Sequence, residues 1–272
     1  MEKEWLFDRP WTRDFTKLRQ AFIAELLEKL RQKVGLVSAI DVGCGIGDFS
    51  KFLSDAGLRV VGVDGREENT GEARRRYPDI TFVTEDAEEL RAAQVGAFDL
   101  VLCFGLLYHL ENPFRAIRNL QALTEKVLLI ETMCVPGSEP TMELLDESMY
   151  GDQGLRYVAF YPSEACIVKM LYRAGFPFVY RFQELPAAEF YVSTVWRERL
   201  RTFIAASRMP LDVPGLIHAK EPIRLVFEFK PWNTRLATLR DTWKSNLLKL
   251  RIFVARIVKP ARDKSDSDRG DN

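Results

Sequence analysis

The stretch Asp41-Val-Gly43-Cys-Gly45-Ile-Gly47 constrains this chain more than any other. It follows an apolar run, LVSAIDV, and opens an amphipathic segment, GIGDFSKFLSDAG, that Gly57 closes. Glycine takes backbone angles closed to residues with a Cβ and lets the chain approach a ligand closely. The helix N-terminus beyond the turn offers free N–H groups. The flanks repeat this strand–turn–helix alternation. LRVVGVD is a second strand, apolar almost throughout, as a doubly covered parallel strand is. Glu67–Tyr77 reads as a helix stopped by Pro78, DITFVTED and AFDLVLCF as strands, Pro113–Leu123 as a helix, and KVLLIET as a fifth strand. Ahead of them, apolar residues at helical spacing predict a helix over Thr16–Val34, with Gly35 as its stop. Behind them come a helix over Ser163–Ala174 ended by Gly175, then two more strands, FPFVYRFQE and RLRTFIAAS. Alternation of this kind predicts an open α/β sheet of seven mostly parallel strands flanked by helices.

The chain divides, on this reading, into an N-terminal helical segment (1–35), an α/β domain (36–207), a C-terminal extension (208–262) and a polar tail (263–272) expected to be disordered. Between 134 and 161 no period is sustained, and a stretch this long inside a compact domain suggests a lid. With 39 basic and 39 acidic residues the net charge is zero, which excludes chain-wide electrostatic binding of nucleic acid. Four cysteines without a C-x-x-C pair and only two histidines argue against a zinc site; no metal is expected, and the thiols point to a reducing, cytoplasmic compartment. MEKEWLFDRPW lacks the apolar core of a signal peptide. No apolar run approaches the ~18 residues of a membrane span.

Three acids give the glycine turn its chemistry. The third glycine comes one residue earlier than in the dinucleotide fingerprint G-x-G-x-x-G, and Asp41 precedes the first by two. That carboxylate repels a pyrophosphate but suits a ligand carrying an ammonium group. Asp64 ends the second strand, 21 residues after Gly43, where a carboxylate can accept from both ribose hydroxyls of an adenosine. Asp86, in Glu85-Asp86-Ala87 at the end of the third strand, can accept from an exocyclic amino group. All three fall at the carboxyl ends of strands, where open α/β sheets bind ligands. Plainer readings coexist: Asp64 can cap a helix, and Asp86 can cap AEELRAA with Glu89 as in a capping box.

Taken together, DVGCGIGDFS, VVGVD, TEDAEEL and FDLVLCFGLLYHLENP resemble the class I S-adenosylmethionine-dependent methyltransferases over about Leu36–Glu131, with weaker likeness in YPSEACIVKMLYRAGF and RTFIAAS. The resemblance implies a Rossmann-like fold and S-adenosyl-L-methionine as cofactor. It implies that Asp41 and the backbone of Gly43, Cys44, Gly45 and Gly47 hold the methionine part. Asp64 and Gly65 would hold the ribose, Asp86 and the Ala87 N–H the adenine, and Phe104 and Gly105 would border the transferring methyl. Ile46 and Arg66 could pack beside the cofactor.

His109, on the loop after the fourth strand, is the candidate general base; it could instead brace the cofactor pocket. Tyr108, Tyr157 and Tyr161 are candidate acceptor-binding residues, with Glu131, Tyr150 and Arg156 behind them; each could equally be ordinary packing. The fourth strand ends in CFGLLYH, without the Asn/Asp-Pro-Pro-Tyr/Phe motif of base-amino methyltransferases. That favours an oxygen or carbon acceptor, and the expectation is methyl transfer to a small organic molecule at oxygen. The segment YPSEACIVKMLYRAGF is similar both to transferases that modify wobble uridine in tRNA and to small-molecule methyltransferases of biosynthetic clusters, so a tRNA-modifying enzyme is the alternative. A non-catalytic, cofactor-binding partner subunit is another.

Residues 230–262 hold nine Lys/Arg against one acid, Asp241, along an apolar stripe of Trp232, Leu236, Trp243, Leu247 and Leu250. A basic amphipathic helix of this kind suits an anionic membrane surface, an RNA backbone or a partner protein; it suits equally well a helix packed on the catalytic domain.

Overall fold

Pro10 opens the first helix, α1 (Pro10–Val34), after a short 3-10 turn at Leu6–Asp8. Its fixed φ suits the first helical turn. The periodic apolar face begins only at Thr16, which is why the sequence pattern places the start six residues late. Gly35 ends the helix in the left-handed conformation, φ 65°. The structure is a computed structural model. It describes residues 5–147, 153–194 and 198–222, with Trp243 and Leu247 alone beyond them. The chain separates into two units, Met1–Pro222 and Ile223–Asn272. The fold is that of the first unit, and the expected basic helix and polar tail lie outside the described residues.

Alternation then runs as the pattern demands: β1 (Ser38–Val42), α2 (Asp48–Asp55), β2 (Arg59–Asp64), α3 (Glu67–Arg76), β3 (Thr81–Thr84), a single turn α4 (Ala92–Val95), β4 (Phe98–Phe104), α5 (Pro113–Leu123) and β5 (Thr124–Met133). An antiparallel hairpin follows, β6 (Met142–Asp146) and β7 (Val158–Pro162). The chain closes with α6 (Glu164–Ala174), β8 (Phe178–Phe182), β9 (Arg201–Ser207) and β10 (Leu216–His218). Ser163 caps α6, its hydroxyl accepting from Cys166 N at 3.1 Å.

The main sheet has the order β10-β8-β9-β5-β4-β1-β2-β3. Its half from β3 to β5 is parallel, β9 runs antiparallel between β5 and β8, and β10 pairs antiparallel with β8. This is the expected Rossmann-like α/β sheet with eight strands instead of seven. Three residues are too few to show a period, so β10 is invisible in the sequence pattern. The expected structureless lid also differs: it contains the β6–β7 hairpin, whose outward-facing MELLD run hides its alternation among acids.

Both faces of the sheet are covered. Ile23, Leu27 and Leu30 of α1 pack with Phe49 and Leu53 of α2 against Leu100, Leu102 and Leu129. On the other face Ile117 and Leu120 of α5 and Ile167 and Leu171 of α6 meet Ile40, Val101 and Leu128. Every residue of β4, the central strand, is buried, so its C-terminal tip is fixed in place.

Candidate functional site

The glycine turn sits where β1 meets α2. Gly43, Gly45 and Gly47 all have positive φ, at 81°, 55° and 92°, a region that side chains with a Cβ rarely enter. Gly43 N and Cys44 N donate to Val63 O at 2.8 and 2.9 Å, locking the turn to β2. Asp64, at the tip of β2, organises its surroundings further. It accepts from Gly45 N at 2.9 Å, from Arg66 N at 2.9 Å and from Asn69 Nδ2 at 3.0 Å. Burial raises its pKa while those donors pull it down, and the balance is a raised value.

A cavity of about 310 Å³ opens above these strand tips. Cys44, Gly45, Asp64, Gly65, Asp86, Ala87, Phe104, Gly105, Tyr108 and His109 all line it, as does Gly43. The N-terminal Phe7, Trp11 and Phe15 and the loop Gln153–Arg156 complete its wall. Asp86 also plays its plainer part, accepting from Glu88 N at 2.9 Å.

Several sequence-predicted residues stand elsewhere. Asp41 is one layer behind the turn, 2% exposed, and accepts from Ser50 Oγ at 2.7 Å. Burial, with the Asp64 charge adding to it, lifts its carboxyl to about 7. Gly47 is outside the lining, facing Phe82 and Tyr77. Tyr161 packs edge-on against Tyr108, ring centroids 5.5 Å apart, without reaching the cavity wall. Tyr157 is 39% exposed and also stands outside the wall. Tyr150 lies outside the described residues. Glu131 is fully buried beneath the cavity, held by Arg19, Arg201 and Tyr191.

Sequence reasoning missed three groups. Glu147, just past β6, bonds His109 Nδ1 at 2.5 Å, and its other oxygen accepts from Gly154 N at 2.8 Å. Nothing in the aperiodic acidic segment marks it. Arg19 and Arg201 line the cavity floor. Arg19 does carry a signal: it falls on the apolar stripe of α1, four residues before Ile23, where a charge is out of place. Among the described residues no group of three or more His, Cys, Asp and Glu side chains is placed to hold a metal ion. No helix among them is long and apolar enough to cross a membrane.

The donor set fits a nucleoside with a cationic amino-acid tail. Carboxylates stand at or behind three neighbouring strand tips, the backbone beside them is free of side chains, and aromatic rings close the top. Known proteins agree. A family model described as a methyltransferase domain matches residues 40–126. Nodulation protein S of Bradyrhizobium diazoefficiens is 26% identical over 192 residues, 64% of this chain and 91% of that protein. The tRNA U34 carboxymethyltransferase of Alcanivorax borkumensis is 32% identical over 184 residues, 65% of this chain. The chain spans only 52% of the length of that enzyme. Magnesium protoporphyrin IX methyltransferase from Synechocystis PCC 6803, solved with bound S-adenosylmethionine, shares the fold at TM-score 0.52 and 24% identity over 77% of this chain and 87% of that one.

Proposed function

We propose that this chain, which belongs to the class I S-adenosylmethionine-dependent methyltransferases, moves the methyl group to an oxygen atom of a small organic acceptor, with His109 as the base. The observation that carries the oxygen assignment is His109 in the cavity wall with Glu147 paired to it from behind, their side chains only 10% and 5% exposed. A hydroxyl is a poor nucleophile until its proton is taken, so an oriented base is what oxygen transfer needs. With Glu147 holding Nδ1–H, the lone pair of Nε2 is the proton acceptor.

When bound, S-adenosylmethionine supplies a sulfonium methyl already activated for attack. Asp64 would hold the ribose hydroxyls, Asp86 and the Ala87 N–H the adenine, and the glycine turn the methionine end. Phe104, Phe15 and Trp11 exclude water from the reacting centre. His109 would take the acceptor proton as the hydroxyl becomes the nucleophile, and the bound cofactor would supply the methyl group and its neutral thioether leaving group. His109→Ala therefore lowers kcat by roughly 10²–10⁴-fold while leaving S-adenosylhomocysteine affinity nearly unchanged. Glu147→Gln, which leaves one neutral oxygen to serve both His109 Nδ1 and Gly154 N, lowers kcat by a smaller factor and changes kcat more than KM. Steady-state kinetics across pH 6–9 check both. Intact turnover in His109→Ala removes the base.

Asp41 makes cofactor binding pH-dependent. With its carboxyl at about 7, it is mostly protonated at pH 6 in the free protein. An ammonium group arriving beyond the turn favours the ionised form. Binding then releases a proton, and affinity rises from pH 6 to pH 8. Calorimetry at pH 6.5 in buffers of different ionisation enthalpy shows this as a buffer-dependent heat, which Asp41→Asn abolishes. A heat independent of buffer refutes it.

A second reading, methyl transfer to tRNA, draws on the likeness to tRNA U34 carboxymethyltransferases. Incubation with labelled cofactor separates the two: label in an organic extract supports the small acceptor, label in bulk tRNA the other.

A further inference from the structure

The floor of the cavity carries more positive charge than its surroundings neutralise. Arg19 and Arg201 are 9% and 7% exposed, and among the described residues Glu131 is the ion-pair partner of both. Glu131 accepts from Arg19 Nη1 at 3.1 Å, from Arg201 Nε at 2.6 Å and Nη2 at 3.3 Å, and from Tyr191 Oη at 2.8 Å. Its two oxygens are fully used. Two guanidiniums against one carboxylate leave one buried positive charge over, and a buried charge without a partner is costly. Arg19 shows the same imbalance at the level of atoms. Its Nε is buried and has no hydrogen-bond partner among the described residues.

Both arginines face the chain just after β4. A Cβ on Gly105, φ 70°, would lie 3.3 Å from Arg19 Nη1 and 3.8 Å from Arg201 Nη2. The missing side chain is what lets the guanidiniums reach the cavity there. The sheet order places them relative to the cofactor groups. Asp86, Asp64 and Asp41 follow β3, β2 and β1 in turn, whereas Glu131 and Arg201 lie on β5 and β9, across β4. The acidic strand tips and the basic pair thus occupy opposite ends of one crevice, with Gly105 between them. Arg201 also lies over the Tyr108 ring, 5.3 Å from its centroid.

We propose that Arg19 and Arg201 form a carboxylate-binding site and that the methyl acceptor is an organic acid whose carboxylate docks on it. The proposal rests on the methyltransferase reading above and names the substrate class for it. A planar fork of N–H donors is the side chain best matched to a carboxylate. A carboxylate there meets Arg19 Nη1 and Arg201 Nη2 on the Gly105 side and neutralises the excess charge. The cofactor also carries a carboxylate, on its methionine end, so the test has to separate the two sources.

Saturate the full chain with S-adenosylhomocysteine and titrate benzoate, 4-hydroxybenzoate and pyruvate, each against its neutral amide, by ligand-observed NMR. At least one acid is expected to bind 10-fold or more tightly than its amide. Arg19→Gln is expected to abolish that preference while changing S-adenosylhomocysteine affinity less than 3-fold. This variant keeps Glu131 paired with Arg201, so it is expected to fold, with a smaller loss of melting temperature than Glu131→Gln. Should it fail to fold, Arg19→Lys retains the charge and loses the fork, and a 3-fold or greater loss of acid preference supports the site. No preference for any acid, or a preference that survives in the variant, overturns the proposal. So does a 10-fold loss of S-adenosylhomocysteine affinity with acid preference intact, because the site then belongs to the cofactor. Failure of S-adenosylhomocysteine to bind the parent chain is a different result: it removes the methyltransferase reading itself.

Discussion

Glu131→Gln is expected to lower the folding free energy by about 3–5 kcal/mol, the usual cost of removing one partner from a buried ion pair. The carboxylate is fully buried, and burial alone would raise its pKa. The charges of Arg201 and Arg19 and the bonds from Arg201 and Tyr191 outweigh that and bring it down to about 2. Glutamine keeps the shape but offers a single neutral acceptor. Two guanidiniums then remain buried without a counter-charge, and the Tyr191 hydroxyl loses a charged partner. These groups join α1, β5, β9 and the Phe190–Tyr191 turn, so the loss spreads across the first unit. Urea denaturation followed by tryptophan fluorescence and far-ultraviolet dichroism measures it. A loss below ~1 kcal/mol contradicts the network as described. Because the carboxyl pKa is depressed in the fold, its contribution is present at neutral pH and is lost as pH falls through 4 towards 2. The gap between parent and variant should close over that window.

Asp64→Ala is expected to weaken S-adenosylhomocysteine binding by about 1.5–3 kcal/mol, or about 10- to 150-fold in Kd. The carboxylate does two jobs. In the proposed role it offers charged acceptors to the ribose hydroxyls, and in the fold it holds Gly45 N, Arg66 N and the Asn69 amide in place. Alanine removes both, and the glycine turn is left with the Gly43 N and Cys44 N bonds to Val63 O as its hold on β2. Asp64→Asn keeps one acceptor oxygen and falls between the two. Unchanged affinity in a folded alanine variant contradicts the ribose assignment.

How much of this was legible in the sequence depends on range. The glycine turn, Asp64 and Asp86 lie within a few residues of strand ends, so local pattern places them, and the structure gathers them around one cavity. Asp41 is local too, but the alternation of a strand sends its side chain behind the turn, next to Ser50. Glu147 is 38 residues from His109 in sequence, and only the β6–β7 hairpin brings them together. Phe7, Trp11 and Phe15 wall the cavity because Arg76 holds Asp8 with two bonds of 2.9 and 2.6 Å, pinning the N-terminal turn to α3. No periodicity encodes that contact. Tyr157 and Tyr161 have the aromatic character that suits a lid; in the fold one faces outward and the other supports Tyr108. Arg19 was legible in principle, as a charge on an apolar stripe. Its meaning needed Arg201, 182 positions away, and Glu131 between them.

The central claim is that a sulfonium nucleoside lies across the tips of β1 to β4. A crystal structure of the S-adenosylhomocysteine complex tests it most directly. The account predicts both ribose hydroxyls within hydrogen-bond distance of Asp64, the adenine beside Asp86 and Ala87, and the thioether sulfur next to Phe104 and Gly105. A nucleoside bound elsewhere, or seated with its ribose away from Asp64, contradicts it.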